Sequence, residues 1–319
     1  MEFWSSVKLK IAAFAGGVGG AKLAHGLAQN LAPEDLTIIV NTGDDFEHYG
    51  LYICPDLDTV CYTLAGLANP DTGWGRLGES WNAIENASQL GGPNWFNLGD
   101  QDLGTHLERT RRLHEGQCLS QITRDFCKAW GIQHTILPMS DQKVRTIVNT
   151  IEGELAFQEY FVHRKCEPKV KSFYFEGADE AEPAPGVLEA IRSADAIVIC
   201  PSNPWVSIDP ILQILSPLPG GEGLRVKAFA VSPIIGGETV KGPAAKMYRE
   251  LGIEPSALAV ANHYQSLISG IVIDSIDKNL QGGITDLGMK VLVTNTLMSS
   301  LDDRSRLAQE LLKFIGNNL

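Results

Sequence analysis

A glycine-rich turn, Gly16-Gly17-Val18-Gly19-Gly20-Ala21-Lys22, leaves an apolar segment (residues 9–15) and opens a helical one. A strand that passes through such a turn into a helix is the opening unit of an open α/β sheet. In that architecture ligands sit at the carboxyl edge of the strands. A second apolar segment, 36–40, runs directly into Asn41-Thr42-Gly43-Asp44-Asp45, and Pro55-Asp56-Leu57-Asp58-Thr59 follows. Two successive strand ends therefore deliver a glycine turn and four carboxylates to one edge. Backbone N–H groups at a helix start suit phosphate, and clustered carboxylate oxygens suit Mg²⁺.

Neither half is a complete signature. Reading G-x-G from Gly17 and Gly19 puts Lys22 where a dinucleotide fingerprint needs its third glycine. A phosphate loop counted from Gly16 meets Ala21 before Lys22, and Leu23 where Ser or Thr should hold the metal. A tight turn packed on the sheet accounts for the glycines alone, and solvated turns or helix caps account for the acids alone. Their coincidence on neighbouring strand ends favours a site for a phosphorylated ligand and a divalent metal.

Further apolar strands are predicted at 135–137, 196–200, 226–231 and 290–293, with helices at 187–192, 244–251 and 304–315. The alternation predicts a doubly wound, mostly parallel sheet covered on both faces, in one α/β domain spanning 1–319. Residues 145–151 and 155–162, joined by Glu152-Gly153, read as a hairpin. Residues 60–131 interrupt the alternation and read as a helical insertion that covers the sheet edge. Leu103, Leu107, Thr110 and Leu113 keep helical spacing, as do Ile122, Phe126 and Trp130, which end at Gly131. Residues 176–185 and 217–223 read as surface loops.

With 319 residues and 44% hydrophobic content the chain can bury a full core. A net charge of −12 argues against nucleic acid or an anionic membrane as partner. Its few cations must be concentrated wherever it binds phosphate. The six cysteines show neither CxxC nor zinc-like spacing, and residues 1–10 lack the order of a signal peptide, so a cytoplasmic protein with reduced thiols is expected. No nucleophile elbow, zinc helix or cysteine–histidine motif is present, which favours direct displacement over a covalent intermediate.

The stretches Gly16 to Lys22, Asn41 to Asp45 and Leu51 to Thr59 stand out together with Gly73-Trp74-Gly75, Trp81-Asn82-Ala83, Trp95 to Leu103 and Thr105-His106. Phe157 to Val162, Pro201-Ser202-Asn203-Pro204 and Ser232 to Gly237 follow in order. In these strings, over roughly the first 245 residues, the chain resembles the 2-phospho-L-lactate transferase family of coenzyme F-420 biosynthesis. The resemblance implies Mg²⁺-dependent transfer of a three-carbon phospho-acid group, such as phospholactyl or phosphoenolpyruvyl. The donor would be guanosine-diphospho-linked, the acceptor the deazaflavin Fo, and the leaving group GMP. It also implies a homodimer. A related regulatory branch binds nucleotide-sugars without catalysis, but Asp44-Asp45 here continues into Phe46-Glu47-His48 rather than that branch's Gly/Ser-rich stretch. An NAD(P) oxidoreductase is a third reading.

On this reading Asp44 and Asp45 are the catalytic candidates. Asp44, Asp45, Asp56 and Asp58 are the candidate metal ligands, of which at most two bind directly; Asp56 or Asp58 alternatively caps a helix beginning near Thr59. Gly16, Gly17, Gly19, Gly20 and Lys22, with Ser202, Asn203, Pro204 and Ser232 on later strand ends, are expected at the phosphates and nucleotide. For the deazaflavin the candidates are Asp100, Asp102, Thr105 and His106 of the insertion, with Glu159 and Tyr160 from a strand at 157–162. Asp100 or Asp102 alternatively caps the helix after Gly99, and the aromatics of the insertion alternatively do no more than pack it onto the sheet.

Overall fold

A computed structural model describes residues 9–216 and 226–319. β1 (Ile11–Ala15) turns into α1 (Gly17–Ala28), and β2 (Leu36–Val40) leads to a hairpin of β3 (Phe46–His48) and β4 (Leu51–Ile53). Then come α2 (Pro55–Leu64), α3 (Asn82–Gln89), α4 (Asp100–His114) and α5 (Leu119–Ala129) before β5 (Thr135–Pro138). A side sheet of β6 (Arg145–Thr150), β7 (Gly153–Ala156) and β8 (Val170–Glu176) precedes α6 (Val187–Ser193), β9 (Ala196–Ile199) and α7 (Asp209–Leu215). After β10 (Ala228–Val231) lie the short pair β11 (Ile234–Ile235) and β12 (Glu238–Thr239), then α8 (Ala244–Glu250) and α9 (Ala257–His263). β13 (Ile268–Asp274), α10 (Gln281–Asp286), β14 (Lys290–Thr294) and α11 (Leu301–Gly316) complete the chain.

Seven strands form one parallel sheet in the order β14-β13-β10-β9-β1-β2-β5. Order reverses between β1 and β9, so the loops after those strands diverge and leave a crevice between them. The strands are apolar throughout because both faces are covered. Ala12 and Phe14 join Ile197, Ile199 and Ile271 in one core, whereas Ile11, Ala13 and Ala15 join Val198, Phe229 and the apolar faces of α1, α2 and α11 in the other. No helix among the described residues is long and apolar enough to cross a membrane.

The predicted strands are present within one or two residues of the expected bounds. β13, a central strand, was not expected: Gly270 interrupts its apolar run, a feature that normally weakens a strand. The structure supplies the reason, since a Cβ there would approach Phe229, the Lys290 carbonyl and Phe314 to 3.0–3.1 Å. The β3–β4 hairpin was also not expected. Its turn places Tyr49 and Gly50 at φ 53° and 71°, a conformation normally marked by Asn-Gly.

Three expectations are corrected. Residues 157–162 are no second hairpin strand: β7 stops at Ala156, and Glu159–His163 winds into a π-helical turn. The helix expected near Thr59 begins at Pro55, so Asp56 and Asp58 lie inside its first turn. The loop after β8 is irregular as expected, but Ala178, Ala181 and Ala184 bury themselves in the core rather than lying on the surface. The loop expected at 217–223 falls outside the described residues, as do residues 1–8. Within the insertion, α5 ends at Gly131 (φ 73°) as predicted. The Ile132 N–H reaches the Cys127 carbonyl and that of Gly131 reaches Lys128, closing the helix.

Helix α1 packs along α11 through Gly26, where a Cβ would sit 2.2 Å from the Arg304 carbonyl oxygen. Gly26→Ala gains about 1 kcal/mol of helix propensity but forces two backbones apart, at a cost of about 1–3 kcal/mol. We expect a lower urea midpoint for Gly26→Ala with an unchanged slope; a midpoint at or above wild type would refute the close approach.

Candidate active site

The β1 and β9 loops interlock at the switch point. Ser202 Oγ accepts from the Gly16 N–H (3.1 Å) and donates to the Gly16 carbonyl (2.9 Å). A Cβ on Gly19 would lie 2.3 Å from the Pro201 carbonyl oxygen, and one on Gly20 would lie 2.7 Å from Ser202 Oγ. Gly17 sits at φ 59°, which favours glycine. These glycines are therefore demanded by the crossing of two loops as well as by any ligand.

Asn41 organises the acids. It is wholly buried at the end of β2, and its N–H continues the ladder to the Ala15 carbonyl. Its Nδ2 donates to Asp44 Oδ1 (3.1 Å), to Asp56 Oδ2 (2.9 Å) and to the Val206 carbonyl (3.2 Å). Gln158 Nε2 donates to the second oxygen of Asp44 (3.1 Å), and the Gly17 N–H to the second oxygen of Asp56 (2.6 Å). The β3–β4 hairpin folds the chain back so that these two carboxylates share one amide. Burial, the Asp56 charge and Asp45 hold the Asp44 carboxyl well above the usual range; burial lifts Asp56 to about 6 against the pull of Asn41 and Gly17.

The four candidate ligands separate into distinct environments. Asp44 and Asp56 line a cavity of about 680 Å³ and have no Lys or Arg partner among the described residues. Two buried carboxylates without a cation fit a hard divalent ion, which Mg²⁺ provides with one or two carboxylates and water. Asp45 points away from that cavity, beside Cys54 and Arg145, with neither oxygen in a well-formed hydrogen bond. Asp58 lines the cavity but is committed: both its oxygens receive the Arg109 guanidinium. Asp58, Asp102 and His106 have ligand atoms within 4.8 Å of one another, yet the guanidinium already occupies that space. Of the four candidates, Asp44 and Asp56 line the cavity without a guanidinium partner, whereas Asp45 lies outside its lining and Asp58 is taken up by Arg109.

Of the phosphate candidates, Gly16, Gly17, Gly19, Lys22, Ser202, Asn203 and Ser232 line the cavity; Gly20 and Pro204 support it from behind. Lys22 lies in the second turn of α1, its Nζ donating to the Met298 carbonyl (2.9 Å). Burial and the nearby Arg304 and Lys241 lower its pKa. Lys241, absent from the sequence reading, lines the same wall.

The insertion contributes the opposite wall. Trp74, Phe96, Asp102 and His106 face the cavity along with Phe157 and Phe161 of the segment after β7, giving an apolar slot with a few polar groups. Four deazaflavin candidates do not face it. Asp100 is spent on the start of α3, accepting from the Asn82 and Ala83 N–H groups and from Ser80 Oγ. Thr105 is buried behind Tyr62, whose hydroxyl donates to Asp102 Oδ1 (2.6 Å) and accepts from the Thr105 hydroxyl (2.8 Å). Glu159 lies in the π-helical turn, outside the lining, while Tyr160 is buried in the side-sheet core. Nor does Asp102 cap α4; Glu79 does, accepting from the Gln101 and Asp102 N–H groups.

Sequence reasoning passed over Asn41, Tyr62, Gln158 and Arg109 as site residues. The first and third lay inside stretches already singled out. Arg109 was signalled only by spacing, three residues from His106 and seven from Asp102 on one face of α4.

Residues 11–309 match the model of the family described as 2-phospho-L-lactate transferase CofD. A phosphoenolpyruvate transferase of Streptomyces griseus is 40% identical over 311 residues, covering 96% of this chain and 98% of its own. One from Thermobifida fusca is 43% identical over 285 residues, covering 84% and 87%. The 2-phospho-L-lactate transferase of Methanothermobacter thermautotrophicus is 37% identical over 307 residues, covering 95% and 97%. The fold is also that of a crystal structure of a UPF0052-family protein from Bacillus halodurans (TM-score 0.61, 17% identity), which covers 97% of this chain and 100% of that one.

The raised carboxyl groups set the sign of a pH effect. Burial pushes Asp45 up to about 7, so the folded state binds its proton more tightly than the unfolded chain does. Stability is therefore lost as pH rises from about 4 through 7 and stays low above that. Asp45→Asn should flatten this fall by about 2–4 kcal/mol between pH 5 and pH 8 in urea denaturation of metal-free protein. A variant whose pH dependence runs parallel to wild type would show that Asp45 is not buried in this way.

Proposed function

The chain belongs to the 2-phospho-L-lactate transferase CofD family, and on that premise we propose that it moves a three-carbon phospho-acid group, phosphoenolpyruvyl or phospholactyl, onto the deazaflavin Fo. The donor is the guanosine-diphospho-linked acid. The acceptor's terminal hydroxyl oxygen forms a bond to the phosphorus that carries the acid. The bond from that phosphorus to the bridging oxygen breaks, GMP departs, and the hydroxyl proton is released. The observation that carries this reading is the pair Asp44 and Asp56: two buried carboxylates, without a protein cation among the described residues, set beside the glycine turn on the wall of one cavity.

Phosphoryl-group transfer depends on positioning and charge neutralisation. Asp44 and Asp56 would hold Mg²⁺, which when bound supplies positive charge against the charge developing on GMP. Lys22 brings a further cation to the same wall, and the start of α1 adds N–H groups beyond those spent on Ser202 and Asp56. Asn203 and Ser232 sit where later strand ends meet the nucleotide side. The insertion closes the other side with Phe96, joined by Phe161 of the π-helical turn, and the two rings give that side an apolar surface. A cytoplasmic homodimer is part of the same reading.

The test is an assay of GMP release with Fo and each of three guanylylated donors, carrying phospholactate, phosphoenolpyruvate or phosphoglycerate. Asp44→Asn and Asp56→Asn should each lower kcat/KM at least 100-fold, about 2.7 kcal/mol of transition-state stabilisation. Mg²⁺ should raise the Tm of wild type and not of Asp56→Asn. Turnover indifferent to chelator and to both substitutions would refute the metal assignment. No GMP from any donor would refute the reaction.

A further inference from the structure

Arg109 is a fully buried arginine on α4, and its position fixes the chemistry of its neighbour. Its NH1 donates to Asp58 Oδ2 (3.0 Å) and lies 3.2 Å from His106 Nδ1, while its NH2 binds the other Asp58 oxygen. A guanidinium only donates, so the facing Nδ1 must present its lone pair. A proton on Nδ1 would point at another donor, and the carboxylate beside it, Asp58 Oδ2, is 3.7 Å away, outside hydrogen-bonding range. The ring proton is thus assigned to Nε2. That atom is buried and has no hydrogen-bond partner; Asp102 Oδ1 lies 3.4 Å from it, outside hydrogen-bonding geometry.

We propose that Arg109 is a positioning residue: it locks His106 as an Nε2–H donor, and that donor holds Asp102 as a fixed, ionised acceptor in the cavity wall. Tyr62 completes the arrangement, its hydroxyl donating to the same Asp102 oxygen (2.6 Å). The helix face carries the relay in sequence order, Asp102, His106 and Arg109. Asp102 is the member that a ligand touches, and its carboxylate takes a hydrogen bond from a hydroxyl or ring N–H. His106, with its lone pair already used by Arg109, cannot accept the proton of the attacking hydroxyl. The long His106–Asp102 contact belongs to the free protein, and such contacts tighten when a ligand closes the site. Placing this acceptor at the deazaflavin rests on the proposed function; the tautomer does not.

The tautomer is read first, with no substrate present. In ¹⁵N-histidine-labelled protein at pH 8, two-bond nitrogen–proton correlations identify which ring nitrogen carries the proton, and the His106 signals are those lost in His106→Gln. An Nε2–H ring upholds the relay. An Nδ1–H ring overturns it. Arg109→Gln should erase the preference, and because it strands Asp58, the double variant Arg109→Gln/Asp58→Asn serves if the single one does not fold. A His106 that keeps the same tautomer in the folded variant overturns the role of Arg109.

The second arm measures Fo titration and turnover. A glutamine at 106 carries an amide N–H at about the reach of Nε2, so His106→Gln should stay within about threefold of wild type. His106→Leu should lose on the order of 10- to 100-fold in Fo affinity, with the donor KM unchanged. Equal losses in the two variants overturn the donor role. A wild-type protein that shows the tautomer but binds no Fo upholds the relay and instead sinks the proposed reaction.

Discussion

The site depends on one buried side-chain amide. Asn41 stands at the last rung of β2, tied to β1 by its backbone, and its Nδ2 bridges two carboxylates from different elements. An amide has no charge with which to neutralise them, so it fixes their positions and leaves their repulsion in place. Asn41 Oδ1 accepts from the Gly43 N–H (2.8 Å), which turns the chain so that Asp44 faces inward. Gly16 is constrained by the same arrangement, since a Cβ there would fall 2.6 Å from Asp56 Oδ2. The glycine turn and the acidic loops, far apart in sequence logic, are thus one packed unit.

That unit forms because of strand order. The reversal between β1 and β9 puts Gly16 beside Ser202, and the β3–β4 hairpin returns the chain to the same crevice in time for α2. The insertion then has a short path to cover the opening, with α4 anchored on β4 by the Tyr52 N–H to Thr110 Oγ1 bond (2.8 Å). Residues from widely separated stretches share the cavity because the parallel topology sends the loops after β1, β2, β9 and β10 to one edge.

Much of this was legible. Continuous apolar runs marked strands because both faces of the sheet are buried, and Gly131 marked a helix end because only glycine is at ease at φ 73°. The glycine turn and Asp44 could be placed at one edge by topology alone. What escaped were partnerships across distance. Asp56 and Asp58 look alike in sequence, and nothing local says that Arg109, half a hundred residues on, will claim one of them. Asp100 seemed a ligand contact because the helix start it serves, α3, was not foreseen within the insertion. Residues 157–162 alternate well enough to read as a strand, yet Phe157 and Tyr160 are satisfied by burial in the side-sheet core, and the backbone winds into a π turn to put them there.

Asp56 and Asp58 also show what the chain does with a buried carboxylate when charge is merely a cost. Two residues apart on the first turn of α2, both are almost wholly buried. Asp58 receives a guanidinium on both oxygens, the usual remedy, since an unpaired buried charge is strongly destabilising. Asp56 receives a neutral amide and a backbone N–H, and its carboxyl is held near 6 as a consequence. A cation, Arg109 of α4, therefore stands beside the same turn of α2, and the fold gives it to Asp58 and not to Asp56. Leaving Asp44 and Asp56 without a protein cation sacrifices stability in the free protein, and the same deficit becomes affinity for any divalent ion that enters. On the proposed function, a chain of net charge −12 that accepts a diphosphate would meet it with a metal at these acids and with Lys22 on the same wall, rather than with the bare acids.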